Sequence, residues 1–156
     1  MMKWDDRAFK AEMRTKMRKR LIVAATTVRS NAVRSMGSGS SGYRAYLKTK
    51  KKIEHYSSMP GEPPHVDTGW LRSSITWSIS EGVEQGNTPK GKAQPEDVVG
   101  VPEKEEGSII AVVGTNVKYA RALELGYAPR RLAARPYLRP ALEKAKAKIQ
   151  WLFGHE

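Results

Sequence analysis

The chain contains no cysteine. That excludes disulfides, thiolate metal sites and cysteine nucleophiles together, and it accords with a reducing cytosol. No apolar run approaches the roughly 20 residues that a membrane-crossing helix needs. The charges at Lys3, Asp5, Asp6 and Arg7 have no apolar stretch behind them, unlike a signal peptide. Histidine is scarce, and His55, His65 and His155 lack the spacing of zinc ligands. No phosphate-binding loop, Rossmann glycine pattern or nucleophile elbow occurs. The tripeptide Asp67-Thr68-Gly69 is that of aspartic proteases, where two carboxylates share a proton. Those enzymes carry the Asp at the end of an apolar strand, whereas here Pro63-Pro64-His65 precedes it and Trp70-Leu71-Arg72 follows at helical spacing. A helix cap is the competing reading. Nothing else asks for a catalytic residue, a metal or a cofactor, so the expectation is a protein that is not an enzyme.

Acidic residues are missing from one part of the chain. Residues 1–52 hold 15 Lys and Arg against 3 acids, while residues 53–156 hold 13 of each, so the whole net charge of +12 belongs to the first third. Such asymmetry points to a polyanion or an acidic protein surface, or else to a solvated helix face. At 156 residues the chain is long enough for a single domain with a modest core. It divides into a basic helical region, 1–56, with a Gly/Ser hinge at 37–42, and a body, 57–156, that carries an extended acidic loop at 81–107.

The spacing of Phe9, Met13, Met17, Leu21, Ala24, Val28 and Ala32 predicts a long helix from Asp5 to Met36, with acids suited to the helix dipole at its start. A helix of that length outgrows a small core, so either part of it meets another subunit or it folds back onto its own sheet. Tyr43, Tyr46, Leu47 and Ile53 predict a second, shorter helix from Tyr43 to Tyr56 beside a lysine cluster. Ser73–Ser80 alternates as a half-buried strand, and the apolar run in Ser108–Gly114 reads as a strand covered on both faces, paired antiparallel with it. Between them, Glu81–Gly107 is proline- and glycine-rich, with seven acids against three lysines. That reads as a long hairpin loop able to serve as an interaction arm, with Val98–Val101 a short strand within it. Asn116 is placed to cap a helix over Val117–Leu125 that Gly126 stops. Leu138, Leu142, Ala145, Ile149, Leu152 and Phe153 form the stripe of a last helix that starts near Pro136. The class is α+β: a long N-terminal helix and a small antiparallel sheet with a long hairpin loop, packed by short helices and a C-terminal helix.

Three stretches go further. Pro60-Gly61-Glu62-Pro63-Pro64 leads into Asp67-Thr68-Gly69-Trp70-Leu71-Arg72-Ser73-Ser74-Ile75, a rigid extended arm joined to a short helix capped by Asp67 or Thr68. Val113-Gly114-Thr115-Asn116-Val117-Lys118-Tyr119-Ala120 is followed by Leu123-Glu124-Leu125-Gly126, and Ala134-Arg135-Pro136-Tyr137-Leu138-Arg139-Pro140-Ala141-Leu142 comes last. In this order the three blocks resemble the head–tail connector proteins of tailed bacteriophages, also called neck, minor tail or tail-completion proteins. The family often has Phe where this chain has Leu125 and Tyr137, and Arg where it has Trp70. The resemblance implies a structural subunit of the virion neck, assembled in the host cytoplasm. It implies a closed ring of six copies with a channel for DNA, between head-completion or adaptor proteins and tail-tube or tail-terminator proteins.

The candidates for subunit or partner contact are Pro60, Gly61, Pro63, Pro64, Thr68, Gly69, Leu71, Arg72, Glu124, Arg135, Pro136, Tyr137 and Arg139. Arg135 and Arg139 are expected on one face of a helix start, with guanidinium groups free to grip Glu124 or a neighbouring copy. Arg14, Arg18, Lys19, Lys50, Lys51 and Lys52 are the candidates to face DNA without reading its sequence. A basic, sequence-independent nucleic-acid-binding protein is the alternative function, and a protease resting on Asp67 is a third.

Overall fold

The computed structural model describes residues 6–37, 43–48, 53–66, 68–80, 84–86 and 108–154. Nothing between Asp6 and Ser35 breaks a helix, and α1 runs through all of it, with Asp6 in its first turn and Arg34 in its last. A turn closed by Gly37 N–H on the Arg34 carbonyl (3.2 Å) ends it.

The stretch expected as a second helix is instead an antiparallel pair, β1 (Tyr43–Lys48) and β2 (Ile53–Ser57). The register runs from Tyr43 opposite Ser57 to Lys48 opposite Ile53, with an irregularity between Arg44 and Tyr46. Three tyrosines and an isoleucine suit a pleated surface better than a helix, and in a window this short their spacing fits both periods. The described part of region 1–56 is therefore a helix and an antiparallel pair of strands. Of the hinge, Gly37 alone is described, and Lys50, Lys51 and Lys52 lie outside the described residues.

The extended arm leads to α2 (Trp70–Ser74), then β3 (Thr76–Ile79), which is shorter than the expected strand because Ser73 and Ser74 belong to the helix. β3 is the central strand of a sheet of order β4-β3-β5, where β4 is Glu84–Gly86 and β5 is Ala111–Gly114. Both pairings are antiparallel, with Trp77 opposite Gly86 on one side and Val113 on the other. The acidic loop is thus not wholly structureless: its first part turns back as β4. The rest, including Val98–Val101, lies outside the described residues. β5 does not have two covered faces either. Its four residues are all half-buried, with α1 packed against the strand and, among the described strands, β3 its one neighbour.

The helix expected over Val117–Leu125 begins later, as α3 (Ala120–Leu125), and Asn116 does not cap it. Thr115 Oγ1 takes the local role, accepting from Val117 N–H (3.2 Å) and bonding the Ser74 hydroxyl. A 3₁₀ turn at Ala128–Arg130 precedes α4 (Leu138–Gly154).

α1 packs most extensively against α4, and alanines set the approach: Ala24, Ala25 and Ala32 on one helix, Ala141 and Ala145 on the other, all buried. Asn31 Nδ2 donates to the Ala141 carbonyl (3.3 Å) across this seam. Arg29 Nε donates to the Ile75 carbonyl (2.8 Å), tying α1 to the entry of β3. Met36, Leu71, Ile75, Ala120 and Tyr137 complete the core. Leu71 and Ile75 share it, as their spacing predicts. Parts of the two predicted stripes do not reach the core: Phe9 and Met17, toward the start of α1, are 50% and 46% exposed, and Leu142, between the buried Ala141 and Ala145 of α4, is 50% exposed. No described helix is long and apolar enough to cross a membrane.

A junction where three sequence blocks meet

α4 starts without a capping side chain of its own. The residues before it are Arg135, Pro136 and Tyr137, and its third residue is Pro140. Helix starts leave backbone N–H groups without intrahelical partners, and Pro140 has none to leave. Three remain, and one carboxylate takes all of them. Glu124 Oε2 accepts from Tyr137 N–H (2.8 Å) and Leu138 N–H (3.0 Å), and Oε1 accepts from Arg139 N–H (2.9 Å). An anion at this end also suits the helix dipole. The expectation that guanidinium groups grip Glu124 is therefore corrected: the backbone amides hold it, including that of Arg139, whose side chain is exposed.

Arg135 lies outside the helix, so it shares no helical face with Arg139. Its Nε donates to the Ser58 carbonyl (3.0 Å), its Nη1 to the Ala133 carbonyl (3.2 Å), and its own N–H to the Leu123 carbonyl (2.6 Å). Gly61 N–H donates to the Ala134 carbonyl (2.8 Å) from a turn with φ 84°. One arginine and one turn thus fasten the proline arm to the segment before α4. Gly126, with φ 80° and ψ 168°, leaves α3 in a conformation open essentially to glycine alone. A Cβ there would lie 3.0 Å from the Leu132 carbonyl oxygen and 3.1 Å from Ala134 N. The following loop is closed by Tyr127 and Leu132, which exchange N–H bonds of 2.8 and 3.1 Å.

The predicted contact residues separate here by exposure. Pro64, Leu71 and Tyr137 are buried within the subunit. Pro60, Gly61, Thr68, Arg72 and Arg139 are exposed, and Pro63, Gly69, Glu124, Arg135 and Pro136 are half-buried. Gly69, left-handed (φ 76°), is the N-cap of α2 and has no side chain to cap with; the Trp70 N–H donates instead to Thr68 Oγ1 (3.4 Å). Asp67 is outside the described residues. Arg14, Arg18 and Lys19 are far from this junction in the chain, on the first half of α1, with Arg14 and Lys19 exposed and Arg18 half-buried.

Beside the junction lies a cleft of about 360 Å³ between the arm, α2 and α3, with Trp70, Tyr119 and Val66 exposed along it and Leu71 and Leu123 beneath. His65 Nε2 and the Tyr137 hydroxyl are buried polar atoms without hydrogen-bond partners. Burial, and secondarily Glu124 and Tyr119, raise the Tyr137 phenol well above its ordinary range. Among the described residues no group of three His, Asp or Glu is placed to hold a metal ion.

The capping role of Glu124 could have been suspected from sequence. A helix flanked by prolines, with no Ser, Thr, Asp or Asn before it, needs an acceptor from elsewhere. Comparison with protein-family models, with curated proteins and with solved structures finds no match.

Proposed function

We propose that this chain is a structural subunit of a bacteriophage neck ring, joining the DNA-filled head to the tail. The observation that carries the reading is the meeting of the three resembling blocks at one junction. Ser58, Gly61, Leu123, Glu124, Ala134 and Arg135 come from separate parts of the sequence and are bonded to one another or to the start of α4. Residues that resemble a family's motifs are expected to serve a common purpose. The junction binds them into one corner, and Trp70, Leu125 and Tyr127, in or directly after those blocks, are exposed. Exposed aromatic and aliphatic side chains on a stiff corner suit contact with a neighbouring copy. Contacts of this head-to-tail kind close into a ring when the rotation between copies allows it.

A second reading, a sequence-independent nucleic-acid-binding protein, is favoured by one observation: the basic first half of α1 is largely exposed. Size-exclusion chromatography with light scattering separates the two when run beside a salt-dependent DNA-binding assay. A defined oligomer with weak DNA affinity supports the ring. A monomer whose DNA affinity falls steeply with salt supports the alternative.

A further inference from the structure

α4 runs antiparallel to α1, with Ala141 beside Asn31 and with Ile149 and Phe153 lining the same groove as Leu21 and Ala24. α4 ends at Gly154, so the α1 residues before about position 20 run past it. Fourteen residues at 1.5 Å each make an overhang of roughly 20 Å. Its surface chemistry differs from the rest of the helix. The line that meets the body through Ala32, Val28, Ala25 and Leu21 continues toward the N-terminus, at the same spacing of three and four, as Arg18, Arg14, Lys10 and Arg7. Residues 6–19 carry six cations against two carboxylates, a net +4. Lys10–Asp6 (2.7 Å) and Lys16–Glu12 (2.8 Å) are exposed pairs within the helix and hold their partners weakly.

Beside this basic line runs an apolar one, Phe9, Met13 and Met17, of which Phe9 and Met17 are half exposed. A phosphate backbone has nothing to offer thioethers and a phenyl ring, so the mixed face fits a protein better than a duplex. A second overhang is equally unsuitable, since it would set like charges together. What fits is a segment with acids around small apolar residues, and the chain contains one. Residues 96–106 read Glu-Asp-Val-Val-Gly-Val-Pro-Glu-Lys-Glu-Glu, with three valines and a net charge of −4.

We propose that the overhang of α1 docks on residues 96–106 of a neighbouring copy. The inference rests on the ring reading and names one of its contacts. Because the two surfaces differ, the contact is head-to-tail and repeats around the assembly.

The test is charge reversal with rescue, in the full chain, read as oligomer mass by light scattering. One variant carries Arg7→Glu, Lys10→Glu and Arg14→Glu; the acids suit the helix start, and circular dichroism checks that helix content is kept. The other carries Glu103→Lys, Glu105→Lys and Glu106→Lys. Each alone is expected to weaken self-association by about tenfold or more, since like charges then face each other. An equimolar mixture is expected to restore it, because each variant's helix then meets the other's segment. Wild-type mass in both single variants overturns the contact. So does a mixture that stays dissociated. An α1 variant that keeps its mass but loses salt-dependent DNA binding assigns the overhang to nucleic acid instead, which also overturns it. A wild type that is monomeric at every concentration overturns the contact as drawn, while the neck-ring reading is judged separately by where the chain sits in the particle.

Discussion

Replacing Glu124 by Ala removes the acceptor for three backbone N–H groups at once, without touching the apolar core. A hydrogen bond to a charged group contributes about 1.5–3 kcal/mol, and loss of an ordinary cap costs about 0.5–2 kcal/mol. The three bonds share one carboxylate and are not additive. The Arg139 N–H is exposed and returns to water, whereas those of Tyr137 and Leu138 are part-buried and cannot do so fully. The expected loss is therefore about 3 kcal/mol, between one cap and the sum of three. For a chain of this size each kcal/mol shifts Tm by about 2–4 °C, so Tm should fall by roughly 6–12 °C. Glu124→Gln keeps one acceptor but turns an NH₂ group toward a donor, and about 2 kcal/mol is expected. Thermal and urea unfolding followed by circular dichroism measure both. Glu143→Ala, on the exposed side of α4, is the control and should stay within about 0.5 kcal/mol. If Glu124→Ala is no more costly than Glu143→Ala, the carboxylate does not hold the helix start and the account of the junction is wrong.

Gly126→Ala should cost about 2–4 kcal/mol in urea unfolding, through its backbone conformation and the approach to Leu132 and Ala134, whereas Gly61→Ala, with open space around it, should cost about 1 kcal/mol. Arg135→Ala leaves the carbonyl of the buried Ser58 without its partner and should cost about 2 kcal/mol, while Arg139→Ala should leave stability unchanged; equal effects in unfolding curves would refute the assignment. Tyr137→Phe removes a buried hydroxyl that has no hydrogen-bond partner and should be neutral or stabilising by up to about 1 kcal/mol. The Tyr137 phenol is raised in the folded state, so its neutral form is the one the fold favours. Its contribution is complete below the ordinary tyrosine pKa and is lost as pH rises above it. Alkaline unfolding should therefore shift upward in Tyr137→Phe, and an unchanged or lowered midpoint would count against this.

What could be read from the sequence was local. The long helix, the glycine stop at Gly126 and the last helix depend on neighbours within a few residues, and the structure has each of them; the antiparallel pairing of β3 with β5 is the long-range exception, legible because both strands are short apolar runs. The structure departs from the sequence pattern where a short window is ambiguous or a distant partner decides. Tyr43–Ser57 carries apolar residues at spacings that suit either period, and pairing between its two halves made it strand. Asn116 looked like a cap, but the helix starts four residues later. Charge attraction alone pairs Glu124 with arginines. The competing donors were amides 13–15 residues away, made needy by the absence of a local cap. Stripe residues such as Phe9 and Met17 have the right periodicity, and periodicity alone does not say where the body ends; Leu142, between the buried Ala141 and Ala145, lies at the side of its stripe.

We propose a ring of this chain at the junction of a phage head and tail. Cryo-electron microscopy of intact particles, assembled with a copy of this chain carrying a small density label, tests it most directly. Label density is expected as a closed ring around the channel, between the head portal and the tail. Complete particles with no label at the neck, or label confined to the head interior or the tail tip, would contradict it.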